Sequence, residues 1–131
     1  MKLFLLIFLV SMNSYAGFFS GPSKDDKKKI ELSYSSGCKD PSYPIGVRIE
    51  NKSKYTVNKL DFKIRGQIYG RSTIYEINPS AKSDKILKSG DIVEGCWGLD
   101  TFYEQPKEDF KLIFEIDSVE FKDGEDTETI Y

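Results

Sequence analysis

Hydrophobic and polar residues alternate with a period of two in four stretches of this chain. Such alternation places every second side chain on one face of an extended strand and is typical of half-buried strands. It predicts four strands, and no segment longer than a few residues has the apolar spacing of a helix. The predicted inward positions are Ile30, Leu32 and Tyr34; Ile45, Val47 and Ile49; Leu60, Phe62, Ile64 and Ile68; and Phe110, Leu112, Phe114 and Ile116.

Segments rich in proline, glycine and polar residues separate these stretches. Pro79 and Pro106 fall between the apolar runs, which is typical of loop prolines, and Gly90 suits a turn that needs a positive φ. Several short strands with turns at this spacing predict an all-β fold, a small antiparallel β-sandwich of about seven strands. The predicted turn segments are KDPSYP, ENKSK, YGRS, NPSAKSD and KSGD.

The chain begins with the pattern of a secretory signal peptide. Lys2 precedes the apolar run from Leu3 to Val10, and small residues at Ser14 and Ala16 predict cleavage after Ala16. A retained membrane anchor is the alternative, but the run is shorter than the roughly 20 residues that cross a bilayer. We therefore expect a signal peptide at 1–16, a flexible lead-in at 17–29, and a single sandwich domain at 30–131.

The charge of the mature chain bears on its partners. Removal of residues 1–16 would take away one lysine and no acid, which leaves 18 basic and 21 acidic residues and a formal charge of −3. Nucleic-acid binding would call for a clustered basic face, and nothing in this charge balance favours it. We expect no nucleic-acid partner and no stable membrane span after signal cleavage.

The chain has two cysteines, Cys38 and Cys96, and no histidine. In an oxidising compartment two thiols allow one intramolecular disulfide, Cys38–Cys96. A metal site would need about four ligands, and a cysteine nucleophile would need a base, usually histidine. We predict a structural disulfide and no metal, cofactor or catalytic residue, with a metal-binding or nucleophilic cysteine as the alternative.

Acidic residues are frequent, but they do not form a recognisable site. The segments SKDDKKK and KDGEDTE mix charges in the manner of solvated chain ends. The tail DGEDTE lacks the ligand spacing of a calcium loop. We therefore expect both segments to be surface.

The stretch VRIENKSKYTVNKLDFKIRGQIYGRS, followed later by ILKSGDIV, resembles the immunoglobulin-like FxLyD-type domains of secreted bacterial proteins. The chain departs from that pattern at Tyr69, where the family usually has an aspartate before the glycine, and in having two cysteines and an extended C-terminal strand. The resemblance implies an immunoglobulin-like, non-catalytic sandwich and transfers no functional residue. It rests on Asn51, Ser53, Val57, Leu60, Phe62, Ile64, Gly70, Gly90 and Asp91.

Four aromatic residues outside the alternation form the candidate partner-binding site: Tyr43, Trp97, Phe102 and Tyr103. The disulfide would bring their segments together at one end of the sandwich, where binding loops commonly lie. Trp97 follows Cys96 directly, so its side chain should point to the opposite face, outside the main core or near a strand end. The alternative is that these aromatics plug the open end of a small sandwich.

A second candidate surface is the segment KLDFKIRGQIY, interpreted as an exposed edge strand. Lys59, Lys63 and Arg65 would point outward from it. A partner strand could pair with such an edge, although lysines there more often prevent aggregation.

Two functions fit these features. One is a non-catalytic accessory module of the bacterial envelope, periplasmic or secreted, that contacts another envelope or secreted protein. The alternative is a small secreted inhibitor or immunity-type protein that blocks a hydrolase or toxin. The inhibitor would insert a protruding loop and bind tightly to an enzyme cleft, whereas the accessory module would bind weakly and in multiple copies.

Overall fold

The computed structural model of this protein describes residues 21–99 and 110–131. The predicted signal peptide at 1–16 lies outside the described residues, as do Phe102, Tyr103 and Pro106. The structural statements that follow concern the described part of the chain.

The described residues form two antiparallel sheets, as predicted for a small all-β sandwich, and they contain one disulfide, which lies within the first sheet and its loop. Seven strands are present in these two ranges, and one short helix, α1 (Lys24–Lys28), precedes them. The strands are β1 (Ile30–Ser35), β2 (Ile45–Asn51), β3 (Thr56–Ile68), β4 (Ile74–Ser83), β5 (Ile92–Trp97), β6 (Phe110–Asp123) and β7 (Asp126–Ile130).

The strand order places the connections at defined ends of the sandwich. One sheet has the order β1-β2-β5, and the other has the order β4-β3-β6-β7. β1 and β5 end, and β2 begins, at the same end of the first sheet, because Ser35 pairs with Gly46 and Ile45 pairs with Trp97. The hairpin between β3 and β4 lies at this end too, since the short 52–55 turn joins β2 to β3 at the opposite end.

The core lies between the two sheets and is built by the predicted alternation. Ile45, Val47 and Ile49 point inward from β2, and the register of β5 places Val93, Gly95 and Trp97 on the same face. Opposite them, β3 contributes three further buried side chains, which confirms the predicted inward face of this strand as far as Ile64. The β3 residues are Leu60, Phe62 and Ile64.

The prediction that NPSAKSD breaks the chain is wrong. All of these residues except the last, Asp84, belong to β4, and Pro79 lies inside that strand rather than in a loop. β4 is an edge strand, and its pairing with β3 shifts register between Phe62 and Ile64, opposite Pro79. A proline has no N–H for the ladder, and an edge or a bulge is where a sheet accepts it.

β6 continues beyond the predicted alternation and changes its inward face at a bulge. Ile116 pairs with Phe62, but the next inward residue is Val119, because the register shifts between Asp61 and Phe62. Val119 and Phe121 are fully buried, and Gly124, with φ of 65°, then makes the turn into β7. The acidic tail is therefore a hairpin strand with mostly exposed side chains, which agrees with its interpretation as surface.

The lead-in at 17–29 contains a short helix that the sequence pattern does not predict. In α1 the Asp26 carboxylate accepts a hydrogen bond from the Ser23 backbone N–H (2.9 Å), as in a capping box. Asp26 is buried, and Lys52 N–H donates to the carbonyl oxygen of Lys29 directly after the helix (3.0 Å). Residues 23–29 are thus held against the sandwich.

Candidate functional site

The disulfide joins the loop after β1 to the C-terminal end of β5. Cys38 and Cys96 are bonded, with their Cα atoms 5.8 Å apart, which confirms the predicted pairing. Cys96 lies on the outer face of its sheet, in register with Gly46 of β2. The bond therefore fixes the 36–44 loop over the outside of the sandwich and leaves the core untouched.

Gly46 permits this arrangement. A Cβ at this position would overlap the backbone carbonyl oxygen of Ser35 and lie 3.1 Å from Cys38 Sγ. The absence of a side chain allows β1 and the cysteine loop to approach β2 closely. The loop that carries Tyr43 is consequently anchored at both the disulfide and the β1–β2 pair.

Tyr43 lies beside the segment that leaves β5. Its side chain is 54% exposed, and its Cδ1 atom would lie 3.8 Å from a Cβ built at Gly98. The carbonyl oxygen of Ser42 is closer to that position, at 3.2 Å. The structure thus brings together the two segments that carry the predicted aromatic residues.

Trp97 has a packing role, and the expectation that it lies outside the main core is wrong. Its ring meets Phe62 of the opposite sheet edge-on, with centroids 5.2 Å apart. The indole Nε1–H donates to the carbonyl oxygen of Lys82 on β4 (2.9 Å), and the ring covers Gly95. Trp97 does end its strand, as expected, and there it closes the side of the sandwich between β5 and β4.

The sequence itself indicates that the Trp97 side chain points inward. Val93, Gly95 and Trp97 share one face by period-two alternation, and the glycine leaves the space that the indole occupies. Of the four predicted site residues, Tyr43 is exposed and Trp97 is largely committed to packing. Phe102 and Tyr103 lie outside the described residues.

Tyr69 is a further exposed aromatic residue, and it is not among the four predicted partner-binding residues. It lies in the β3–β4 turn, where Gly70 adopts φ of 79°, and its side chain is 68% exposed. Ile74, the first residue of β4, is exposed nearby in sequence. We call this end of the sandwich, marked by Tyr43 and Tyr69, the tyrosine end.

The opposite end is organised by a buried asparagine. Asn51 Nδ2 donates to the carbonyl oxygens of Tyr55 (2.8 Å) and Leu87 (2.9 Å). Its Oδ1 accepts hydrogen bonds from the backbone N–H (3.0 Å) and hydroxyl (2.6 Å) of Ser53. The residues that carry the family resemblance at this end therefore hold turns together, which is a structural role.

The lysine-bearing segment is not an edge, which corrects the second candidate surface. β3 lies between β4 and β6 and is paired on both sides. Its outward Arg65 contacts Glu76 (2.8 Å) and Glu115 (2.7 Å) on the neighbouring strands, and Lys63 contacts Asp117 (3.3 Å). Strand addition at β3 is excluded because no free edge exists there.

On the outer face of the other sheet, Lys52 bridges two acids. A hydrogen bond to the Glu31 carboxylate (2.9 Å), then the charges of Glu31 and Glu50, raise the pKa of Lys52 above its ordinary value. Glu31 and Glu50 are directly opposed on β1 and β2, so the lysine offsets their repulsion. Lys52 is exposed to solvent, so these contacts are surface salt bridges.

Within residues 21–99 and 110–131, no cluster of three or more Cys, Asp or Glu side chains is arranged to hold a metal ion. In the same ranges no helix is long and apolar enough to cross a membrane.

Comparisons with protein-family models, curated proteins and solved structures found no match to this chain. The resemblance to immunoglobulin-like FxLyD-type domains stays a prediction. The function must therefore be argued from the surfaces themselves.

Proposed function

We propose that this protein is a non-catalytic binding module that acts outside the cytoplasm through protein–protein contacts in the bacterial envelope. The observation that carries the proposal is the exposure of Tyr43 and Tyr69 at the end of the sandwich where β1 and β5 end and β3 turns into β4. Tyrosine supplies a large rigid contact area with a polar tip, and it is enriched among residues that dominate binding energy.

The disulfide supports a binding role for the loop at 36–44. A flexible loop loses conformational entropy when it binds, and a loop fixed in advance loses less. Cys38 and the close approach at Gly46 restrict the loop on one side of Tyr43, and the packing beside Gly98 restricts it on the other. Tyr43 is thus presented on a constrained loop.

The proposed location rests on the predicted signal peptide and on the disulfide, which is typical of exported proteins. Mass spectrometry of the exported protein should find Gly17 as the first residue. An exported form that retains Met1 would contradict cleavage after Ala16.

Photo-crosslinking would test the tyrosine end directly. A photoreactive amino acid replaces Tyr43, Tyr69 or, as a control, Ile86, which is 67% exposed in the connection between β4 and β5 at the opposite end. We expect one envelope or secreted protein to be crosslinked from positions 43 and 69 and not from position 86. Equal crosslinking from all three positions would contradict a specific surface.

The captured partner then allows a quantitative comparison. The double variant Tyr43→Ser with Tyr69→Ser should bind at least tenfold more weakly, a loss of about 1.4 kcal/mol. Its free energy of unfolding should stay within about 0.5 kcal/mol of the wild type, as expected for exposed side chains. Unchanged affinity would overturn the proposal, and a partner enzyme that is fully inhibited would favour the inhibitor alternative.

Phe102 and Tyr103 are tested in the same assay. The variant Phe102→Ala with Tyr103→Ala should weaken partner binding by at least tenfold with nearly unchanged thermal unfolding. A loss of stability of about 3 kcal/mol would instead assign these residues to the core.

A further inference from the structure

β7 covers only part of the edge of β6. β6 runs from Phe110 to Asp123, but β7 pairs with it only between Val119 and Asp123. Among the described strands, none pairs with the remainder of that edge, from Phe110 to Ser118. Within residues 21–99 and 110–131, a stretch of sheet edge therefore remains open in line with β7.

The core is incompletely closed along the same stretch. Val119 and Phe121, on the part of β6 that β7 covers, are fully buried. Phe114 and Ile116, on the open part, are only partly buried, although the pairing of Ile116 with Phe62 places them on the inward face. Burial thus decreases where β7 ends.

β1, which faces this stretch from the other sheet, shows the same trend. Ile30 is buried, Leu32 is partly buried, and Tyr34, on the same face, is 60% exposed. The side of the sandwich between β1 and the open part of β6 therefore lacks the cover that an additional strand would provide.

A groove with a volume of about 510 Å³ occupies this side. Ile30, Leu32, Phe114 and Ile116 form its apolar lining, and Tyr131 lies at the end next to β7. The volume is within the range of ligand-binding pockets, and the groove runs beside a sheet edge with free backbone groups. Apolar side chains on alternate residues of an added strand would fit such a groove.

The groove carries uncompensated positive charge. Lys24, Lys27 and Lys28 of α1 line it, and none of them forms a salt bridge with another described residue. Glu115 also lines the groove, but its carboxylate is bound to Arg65 at 2.7 Å. A ligand in the groove would therefore be favoured by negative charge near the helix.

We propose that the open edge of β6 binds an extended acidic segment of a partner protein, which adds to the sheet as a strand in line with β7. Backbone hydrogen bonds to β6 would supply affinity, alternate apolar side chains would fill the groove, and acidic residues would meet the three lysines. The open edge begins beside the tyrosine end, where Phe110 pairs with Ile68, but neither Tyr43 nor Tyr69 lines the groove. The inference does not depend on the function proposed above.

The test is a selection of peptides from a random display library on the immobilised mature protein. The enriched peptides should combine apolar residues at alternate positions with acidic residues. On binding, amide hydrogen exchange should slow for those amides of residues 111–117 that point away from β3, and it should stay unchanged in residues 39–44. Enriched peptides without acidic residues, protection elsewhere, or no enrichment would overturn the proposal.

Charge-reversal variants provide the matched control. Lys24→Glu, Lys27→Glu and Lys28→Glu together should weaken the selected peptide at least tenfold. Lys59→Glu, Lys85→Glu and Lys88→Glu together, which make the same charge change elsewhere, should leave binding within twofold. If circular dichroism shows that the first triple variant is unfolded, the pair Lys24→Glu and Lys28→Glu, both exposed, replaces it.

The remaining outcomes identify other occupants. If the amides of residues 111–117 that point away from β3 already exchange slowly in the free monomer, the chain itself covers the edge, and if they do so only in a dimer, a second copy does. Displacement of the peptide by a fluorescent fatty acid with no change in the β6 amides would indicate a lipid site. Each of these results would overturn the proposal, and none would bear on the tyrosine end, which the Tyr43→Ser, Tyr69→Ser variant tests separately.

Discussion

At the scale of single residues, Asn51 joins its own turn to Leu87, which is 36 residues away in the chain. Its amide contacts the carbonyl oxygens of Tyr55 and Leu87, and its carbonyl oxygen accepts two hydrogen bonds from Ser53. The residue is fully buried, and every buried side-chain polar atom among the described residues has a partner. A buried polar group that is fully satisfied specifies one arrangement of the turns, because any other arrangement leaves it unpaired.

Removal of this amide should therefore be costly. We expect Asn51→Ala to lower the free energy of unfolding by about 3 kcal/mol, since several buried groups lose their partners together. Denaturant unfolding of the variant and the wild type gives the difference. A change below about 0.5 kcal/mol would show that water or neighbouring groups replace the asparagine.

The isosteric variant Asn51→Asp separates hydrogen bonding from shape. A carboxylate oxygen would face the carbonyl oxygens of Tyr55 and Leu87 where the asparagine donates. Burial and repulsion should raise the pKa of the new carboxyl in the folded state, so the variant should be relatively more stable at low pH and lose that stability as the pH rises. Asn51→Ala should show no such difference from the wild type, and an equal pH profile for both variants would contradict this account.

At the scale of secondary-structure elements, the chain could be interpreted from its sequence wherever one face of a strand is buried. Ile45, Val47 and Ile49 illustrate this, because alternation in β2 follows directly from burial on one side. β4 could not be found in this way, since Pro79 and a bulge interrupt its pattern at an edge. Local propensity favoured a loop there, whereas pairing with β3 makes it a strand.

The candidate site was predictable to a similar extent. The two cysteines, the missing histidine and the predicted export led to the disulfide, and the disulfide led to the position of Tyr43. The inward direction of Trp97 follows from its alternation with Val93 and Gly95. The central position of β3 depends on strand order, which local periodicity does not encode.

The β1–β2 pair gives a prediction at this scale. In Gly46→Ala the new Cβ would meet the backbone of Ser35, which cannot move without disrupting the pair. We expect a loss of about 3 kcal/mol or more in denaturant unfolding, at or above the upper range for overpacking. The conservative change Gly37→Ala is the control, because its Cβ would have only Ser35 Oγ nearby, at 3.9 Å.

Gly37→Ala should be neutral or slightly stabilising, since alanine restricts the unfolded chain more than glycine does. Equal stability of the two variants would mean that the 36–44 loop can move away from β2. The disulfide would then hold a looser loop than the structure describes, and the constrained presentation of Tyr43 would lose its support.

At the scale of the whole molecule, two sides of the sandwich are closed by different means. Trp97 spans from β5 to the Lys82 carbonyl oxygen of β4 and closes one side. Among the described strands, the other side, between β1 and the open part of β6, is closed only where β7 pairs with β6. A small domain with one incompletely covered side buries less apolar surface, so covalent constraint should contribute a large share of its stability.

Removal of the disulfide tests this contribution of covalent constraint directly, because it changes little else. Cys38 and Cys96 are 58 residues apart, and closure of such a loop should stabilise the protein by about 4 kcal/mol in the chain-entropy model. Cys96 is exposed on the outer face, so Cys38→Ser with Cys96→Ser removes little core packing. We expect the double variant to keep its β-type circular dichroism but to unfold at a lower denaturant concentration. Reductant should destabilise the wild type to the same extent and leave the double variant unchanged; a variant as stable as the oxidised wild type would show that the sheets alone hold the fold.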